Sequence, residues 1–233
     1  MARGRKYRET LSLFERSKAY TWEQAVGIIK SAPRRQFDET VELAFCLGID
    51  GRQADQIVRG TVMLPYGTGR QVRVLVITQG DLVAQAQEAG ADFVGGADMV
   101  EKIQGGWLGF DMVIASPDMM GQVGKLGRIL GPRGLMPNPK TGTVTREIGQ
   151  AVREAKAGRI EYRADSKSGN NAHMPIGKVS FEAEALIGNA KAATEAILRA
   201  RPASAKGQYV RRLTMSTAMG PGIRIDRSEL SLV

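Results

Sequence analysis

Residues 72–115 read VRVLVITQGDLVAQAQEAGADFVGGADMVEKIQGGWLGFDMVIA. Hydrophobic runs at 72–77 and 111–115, with a shorter one at 92–94, predict three strands because they are rich in β-branched residues. The stretches at 81–89 and 98–104 between them are predicted to be helices. Strands that alternate with helices are typical of a parallel sheet covered on both faces. This stretch therefore predicts an α/β domain.

The segments on either side follow a different pattern. Apolar and polar residues alternate at 37–47, which indicates a half-buried strand. A second strand is predicted at 58–64, and apolar and polar residues alternate again in a strand at 210–218. The remaining predicted elements are a helix that begins with a Thr21–Gln24 capping box and ends before Pro33, strands at 160–162 and 173–181, and a long helix at 183–201.

The two ends of the chain thus share one architecture and the middle has another, so the sequence predicts two domains. An α+β domain is built from 1–67 plus 160–233, and we call it the outer domain. The α/β domain, residues 68–159, is inserted into it, and we call it the insert. The chain crosses between the domains twice, at Gly67-Thr68-Gly69 and at Gly158-Arg159, and these crossings are expected to form a hinge.

The charge of the chain indicates a polyanionic partner. The 233 residues include 33 Lys and Arg against 24 Asp and Glu, a formal net charge of +9. The outer domain holds 22 basic and 15 acidic residues and the insert 11 and 9, so most of the excess lies on the outer domain. Because 42% of the residues are hydrophobic, a disordered basic tail is excluded.

Several classes of protein are excluded by what the sequence lacks. Cys46 is the only cysteine and His173 the only histidine, so no zinc finger, CxxC pair or intrachain disulfide can form. No run approaches the roughly 18 apolar residues of a membrane span, and no secretory signal is visible. We therefore expect a soluble monomer of a reducing compartment, with no metal, no cofactor and no membrane contact.

The segment 125–144, KLGRILGPRGLMPNPKTGTV, is rich in Gly and Pro and lacks a regular period. It lies within a longer predicted loop, 121–145, after which Thr145 is expected to cap a helix at 147–157. Glycine allows close backbone approach and proline holds a loop open, so the four cations of the segment are candidates for contact with phosphate. They are Lys125, Arg128, Arg133 and Lys140.

Residues 134–141 also suggest a nucleotide-binding loop, GxxxxGK[ST], as an alternative. Pro139 occupies the position of the second glycine. Proline has no backbone N–H to donate to a phosphate, and no strand directly precedes the segment. A nucleotide-dependent enzyme is therefore the disfavoured alternative.

Nine stretches spread over essentially the full chain carry a resemblance to a known family: 36–42, 56–65, 67–69, 90–96, 106–107, 110–111, 117–120, 125–144 and 219–220. In these stretches the sequence resembles the ribosomal L-one family, in its bacterial or organellar form, whose members occupy the mobile side stalk of the large ribosomal subunit. The resemblance implies an outer α+β domain that binds rRNA and a Rossmann-like, three-layer α/β insert.

The resemblance also implies a function. Proteins of this family bind the rRNA of the side stalk, help to release deacylated tRNA from the exit site, and often repress translation of their own operon mRNA. It implies no enzymatic reaction and a location on the cytoplasmic ribosome, or on an organellar one. A stand-alone RNA-binding repressor or chaperone is the other alternative.

By the same resemblance, the rRNA-binding residues lie on the strand that begins at 37 and on the strand that ends at 219–220. By alternation Phe37 shares the face of Val41, Leu43 and Phe45, so core packing is expected at least as much as contact with a base or a ribose. Ala218 departs from the threonine that the family typically places before Met219. The residues expected to bind rRNA are Phe37, Thr40, Glu42, Arg212, Thr214, Ser216, Thr217, Met219 and Gly220, and those expected to contact tRNA or phosphate are Arg52, Lys125, Arg128, Arg133, Lys140 and Lys167.

Overall fold

A computed structural model describes residues 4–33, 35–50, 53–165 and 170–230. The chain divides into two compact units, a first unit of 1–69 with 160–233 and a second unit of 70–159. The first unit contains α1 (Arg5–Leu11), α2 (Trp22–Ser31), β1 (Thr40–Leu47), β2 (Arg59–Met63), β6 (Arg159–Asp165), β7 (Asn171–Lys178), α8 (Ala183–Arg199), β8 (Val210–Thr217) and β9 (Ile223–Arg224). The second contains β3 (Val74–Ile77), α3 (Leu82–Glu88), β4 (Phe93–Gly95), α4 (Ala97–Gln104), β5 (Met112–Ala115), α5 (Met120–Val123), α6 (Gly127–Leu130) and α7 (Ile148–Lys156).

The first unit is built on a six-stranded sheet with the order β2-β6-β7-β1-β8-β9. Strand β1 lies between β7 and β8 and pairs antiparallel with both. Its buried residues alternate with less buried ones, as the period of two requires. The buried side chains pack with those of α2 and α8 in one core. The opposite side of the sheet, which we call the polar face, carries Glu42, Ala44 and Cys46 of β1 and Arg212, Thr214 and Ser216 of β8.

Helix α2 begins as the sequence predicts. The Gln24 backbone N–H donates to Thr21 Oγ1 at 3.4 Å, and the Thr21 N–H donates to Gln24 Oε1 at 3.2 Å. The helix ends at Ser31, two residues before Pro33, because the residue before a proline disfavours helical angles. The predicted capping box is thus confirmed.

The second unit has a parallel three-stranded sheet of order β4-β3-β5, with β3 in the centre. All four residues of β3 are buried because helices cover both faces of the sheet. Leu75 and Ile77 pack with residues of α4, α5 and α6, whereas Val74 and Val76 pack with residues of α3 and α7. The predicted α/β class, with a sheet covered on both sides, is confirmed.

One carboxylate, that of Asp111, forms hydrogen bonds at the edge of this second sheet. Asp111, directly before β5, accepts hydrogen bonds from Arg73 Nε at 2.9 Å and from the Arg73 backbone N–H at 3.2 Å. The hydrogen bond from the Arg73 guanidinium lowers the pKa of Asp111, although partial burial opposes the shift. The pair joins the residues that precede the two paired strands β3 and β5.

Two local predictions are wrong. The stretch 121–145 is not an open loop throughout, since short helices run from Met120 to Leu130 and bury Leu126 and Leu130 completely. Four-residue spacing places those two side chains on one helical face, a signal that the surrounding glycines conceal. Thr145 does not cap α7; its hydroxyl accepts from the Glu147 N–H at 3.1 Å, and Glu147 is the residue at the N-cap position.

No helix in the described part of the chain is long and apolar enough to cross a bilayer. Likewise, the described residues include no cluster of His, Cys, Asp or Glu that could hold a metal ion.

Candidate RNA-binding surface

The turn that follows β8, residues 217–220, is tied to the start of β1, and we call it the β8 turn. The Ala218 N–H donates to the Thr40 carbonyl at 3.1 Å, and the Gly220 N–H closes the turn on the Thr217 carbonyl at 3.1 Å. A side chain at Gly220 does not fit this turn, because its Cβ would lie 2.4 Å from Thr217 Oγ1. The sheet thus brings together two segments that are about 180 residues apart in sequence.

Glu39 is the anchor of the β8 turn. Its Oε1 accepts from the Met219 backbone N–H at 2.8 Å and from Thr217 Oγ1 at 3.3 Å. Its Oε2 lies 3.8 Å from Arg35 Nε, an ion pair too long to be a hydrogen bond. The two side chains are only 10% and 15% exposed, so this pair is shielded from water. Sequence analysis did not single out Glu39, because the turn residues that it contacts, Thr217 and Met219, lie at the other end of the chain.

Two apolar side chains are exposed around this turn, Phe37 at 56% and Met219 at 58%. Core packing, one of the two expectations for Phe37, is therefore wrong. The reason is that β1 begins at Thr40, so the alternation of the strand does not extend to residue 37. Phe37 instead lines a groove together with Arg35, Glu39 and Thr217.

The register between β1 and β8 places residues of the two strands in direct pairs on the polar face, and Glu42, Ser216 and Arg212 among them were predicted to bind rRNA. Glu42 lies opposite Ser216, and Cys46 lies opposite Arg212. Directly opposite residues on one face have Cβ atoms about 5 Å apart, close enough for one ligand to touch both. Carboxylate, hydroxyl and guanidinium groups are thus presented side by side along two neighbouring strands.

Thr40 belongs to the same surface but has a partner that sequence analysis missed. Lys178, opposite Thr40 in the register of β1 with β7, donates from Nζ to Thr40 Oγ1 at 2.8 Å. A cation therefore lies at the start of β1, close to the β8 turn. Lys178 reaches this position because β1 pairs with β7, and the two residues are 138 positions apart in sequence. The composition of the chain does not reveal such a pairing.

The hydroxyl of Thr217 and the methyl of Ala218 differ in exposure. Thr217 is half-buried and donates to Glu39, whereas Ala218 is exposed. The threonine that is present thus stabilises the turn, and position 218 presents only a methyl group.

The remaining predicted cations lie on the second unit or outside the described residues. Lys125 lies in a short 3-10 turn and Arg128 on α6, and Arg133 and Lys140 follow them. All four are exposed, and none forms an ion pair with another residue that the structure describes. The other two predicted residues, Arg52 and Lys167, fall outside the described ranges.

The loop 134–141 does not have the features of a phosphate cradle. Thr141 is buried, and its hydroxyl donates to the Asn138 carbonyl at 3.1 Å. In a nucleotide-binding loop this hydroxyl would contact the metal ion of the nucleotide. The Lys140 N–H is also taken, since it donates to Asn138 Oδ1 at 2.8 Å.

A basic chain with hydroxyl and guanidinium groups along a partly exposed sheet face has the features of a nucleic-acid-binding protein. A family model described as the Ribosomal protein L1p/L10e family matches residues 28–221. The chain therefore belongs to this family of RNA-binding structural proteins of the large ribosomal subunit.

Proposed function

We propose that the first unit binds the rRNA of the ribosomal side stalk through the β8 turn and the adjoining polar face. The observation that carries the proposal is the geometry of the β8 turn. Glu39 accepts a hydrogen bond from the backbone of this turn, whereas the side chains of Met219 and Phe37 are exposed. A rigid turn with exposed apolar side chains binds a folded RNA at little cost in conformational entropy.

The chemistry of the surface suits the sugar and phosphate edges of RNA. Ser216 and Thr214 offer hydroxyls that donate to phosphate or accept from a ribose 2′-hydroxyl. Glu42 repels phosphate, so its role is to accept a hydrogen bond from a 2′-hydroxyl or a base amino group. Phe37 offers an aromatic surface on which an unpaired base or a ribose packs.

The first test is a binding assay with an rRNA fragment of the side stalk and a scrambled RNA of equal length. We expect clearly tighter binding to the stalk fragment, with log K falling against log salt by about 0.7 to 0.9 per phosphate contacted. Equal affinity for the two RNAs would contradict the proposal. Co-sedimentation with large subunits through a high-salt gradient separates a ribosomal protein from a stand-alone repressor or chaperone.

We also propose contact with exit-site tRNA during its release, and repression of the protein's own operon mRNA. Support for the first comes from the exposed cations of the second unit, such as Lys125 and Arg128, which have no carboxylate partner among the described residues. Repression is supported by the same surface, because an mRNA that folds like the stalk site would bind the same β8 turn. The binding assay with deacylated tRNA and with leader mRNA as added arms tests both.

Position 218 provides a sharper test of the surface. Ala218→Thr restores an exposed hydroxyl next to the β8 turn and is expected to tighten binding to the stalk fragment roughly two- to twelvefold, the effect of one hydrogen bond. Ala218→Val is the matched control, because it adds the same bulk without a hydroxyl. If the two variants bind equally, the missing hydroxyl has no role in RNA binding.

A further inference from the structure

Six cations line two adjoining grooves on the polar face of the first unit. Arg212 lines both grooves and so joins them. Neither groove has a carboxylate among its described lining residues. We call this surface the arginine face; its members are Arg16, Lys206, Arg211, Arg212, Arg224 and Arg227.

Contacts of the sheet and of the segments next to it position part of this cluster. Arg227 donates from Nη2 to the Arg211 carbonyl at 2.7 Å. Gly48 lets the 208–211 segment approach β1, because a Cβ at Gly48 would lie 2.2 Å from the Gln208 carbonyl oxygen and 3.2 Å from Arg211 Nε. Arg224 lies opposite Thr214 in the pairing of β8 with β9, next to the strand that carries Arg212. The cluster is thus built by the sheet and by the loop before β8.

Within the described part of the chain, one member of this cluster, Arg224, interacts electrostatically with a carboxylate, that of Asp226. None of the six side chains forms an ion pair there, whereas Arg59 is paired with Glu161 and Arg199 with Glu195. Like charges held close together repel one another, so a cluster of this kind is stabilised when an anion binds.

We propose that the arginine face binds the phosphate backbone of an RNA that extends along the sheet from the β8 turn. The proposal rests on the proposed function, since it places the two contacts on one RNA. The polar face of β8 runs from the arginine face to the β8 turn, and it carries Arg212, Thr214 and Ser216 in that order. Five of the six cations are arginines, whose planar guanidinium matches phosphate oxygens with two parallel hydrogen bonds. The contact is independent of base sequence and adds affinity rather than specificity.

The first experiment removes one cation from each groove. In Arg211→Gln/Arg224→Gln, we expect the slope of log K against log salt for the stalk RNA to fall by about 1.4 to 1.8. That difference corresponds to a roughly seven- to twelvefold smaller loss of affinity between 50 and 200 mM salt. The ratio of stalk to scrambled RNA affinity should not change. An unchanged slope would overturn the proposal.

The matched control is Lys191→Gln/Arg199→Gln. Both residues are exposed on α8, which packs against the opposite side of the sheet, and the net charge falls by the same amount. The control should keep the slope of the unmodified protein. An equal fall in both double variants would show that net charge alone matters and would overturn the assignment of a specific face.

Cys46 offers a direct probe, because it is the only cysteine and lines the groove with Arg211 and Arg212. Stalk RNA at saturation is expected to slow the alkylation of Cys46 at least several-fold. Saturated binding with an unchanged alkylation rate would show that the RNA does not reach this groove, and the proposed function would then still stand. If the stalk and scrambled RNAs bind with equal affinity and Cys46 is still protected, the proposed function is contradicted instead. Equal protection by poly-glutamate would indicate an acidic protein partner and overturn the RNA assignment.

Discussion

Replacing Glu39 by alanine is expected to lower the unfolding free energy of the first unit by about 2 to 4 kcal/mol. The variant leaves the Met219 N–H and the Thr217 hydroxyl without their acceptor and Arg35 without its counter-charge. A buried donor or charge that loses its partner costs more than the bond it made. Because the β8 turn loses its anchor, we also expect the affinity for stalk RNA to fall about tenfold or more, which corresponds to at least about 1.4 kcal/mol.

Urea unfolding followed by Trp22 fluorescence, in a Trp107→Phe background, reports on the core of the first unit, where Trp22 is 2% exposed. Glu39→Gln is the control, since it keeps the acceptor Oε1 for Met219 and removes only the charge. It should retain most of the stability and of the RNA affinity. If Glu39→Ala unfolds at the same urea concentration as the parent and binds RNA equally well, the turn does not depend on this carboxylate.

The second large effect is expected at Asn189, a fully buried amide on α8. Its Oδ1 accepts from the Tyr66 N–H at 3.0 Å, and its Nδ2 donates to the carbonyls of Gly67 at 2.8 Å and Ile176 at 2.7 Å. It therefore satisfies three backbone groups at the point where the chain leaves the first unit. Asn189→Ala should cost about 2 to 4 kcal/mol, because three backbone groups lose a fully buried hydrogen-bond partner at once.

Thr194→Val is the matched control for Asn189. Thr194 is also fully buried on α8, but its hydroxyl donates only to the Ala190 carbonyl of its own helix, at 2.8 Å. The same fluorescence assay should give a loss of about 1 kcal/mol or less for this variant. Equal losses for the two variants would mean that the amide does no more than fill space.

Much of the local structure could be predicted from the sequence because it depends on neighbouring residues. The alternation at 37–47 predicts β1, and Thr21 with Gln24 predicts the start of α2. The alternation does not describe Phe37, which precedes the first residue of β1, and glycines conceal the short helices at 120–130. In both places the local pattern was weak and tertiary packing decided the outcome.

The candidate site divides in the same way. Resemblance identified the β8 turn and the residues of the two strands, and their roles in binding rRNA stay predictions, as does the hinge at the two crossings between the units. The sequence did not indicate Glu39, Lys178 or, apart from Arg212, the arginine face, because no short stretch of sequence contains more than a part of them. Met219, which Glu39 contacts, lies 180 residues away along the chain, and Thr40, which Lys178 contacts, lies 138 residues away.

The sequence by itself determined the amino-acid content of each part of the chain, the net charge of +9 and the spacing of apolar residues in the main strands and helices. These are properties of single residues or of close neighbours. Only the tertiary structure decided which strands pair, and hence that Glu39 reaches Met219 and that Arg212 joins two basic grooves. The physical reason is that strand register is set by the burial of one whole face of the sheet against the helices. A carboxylate and the turn it anchors then meet only after that face has been buried.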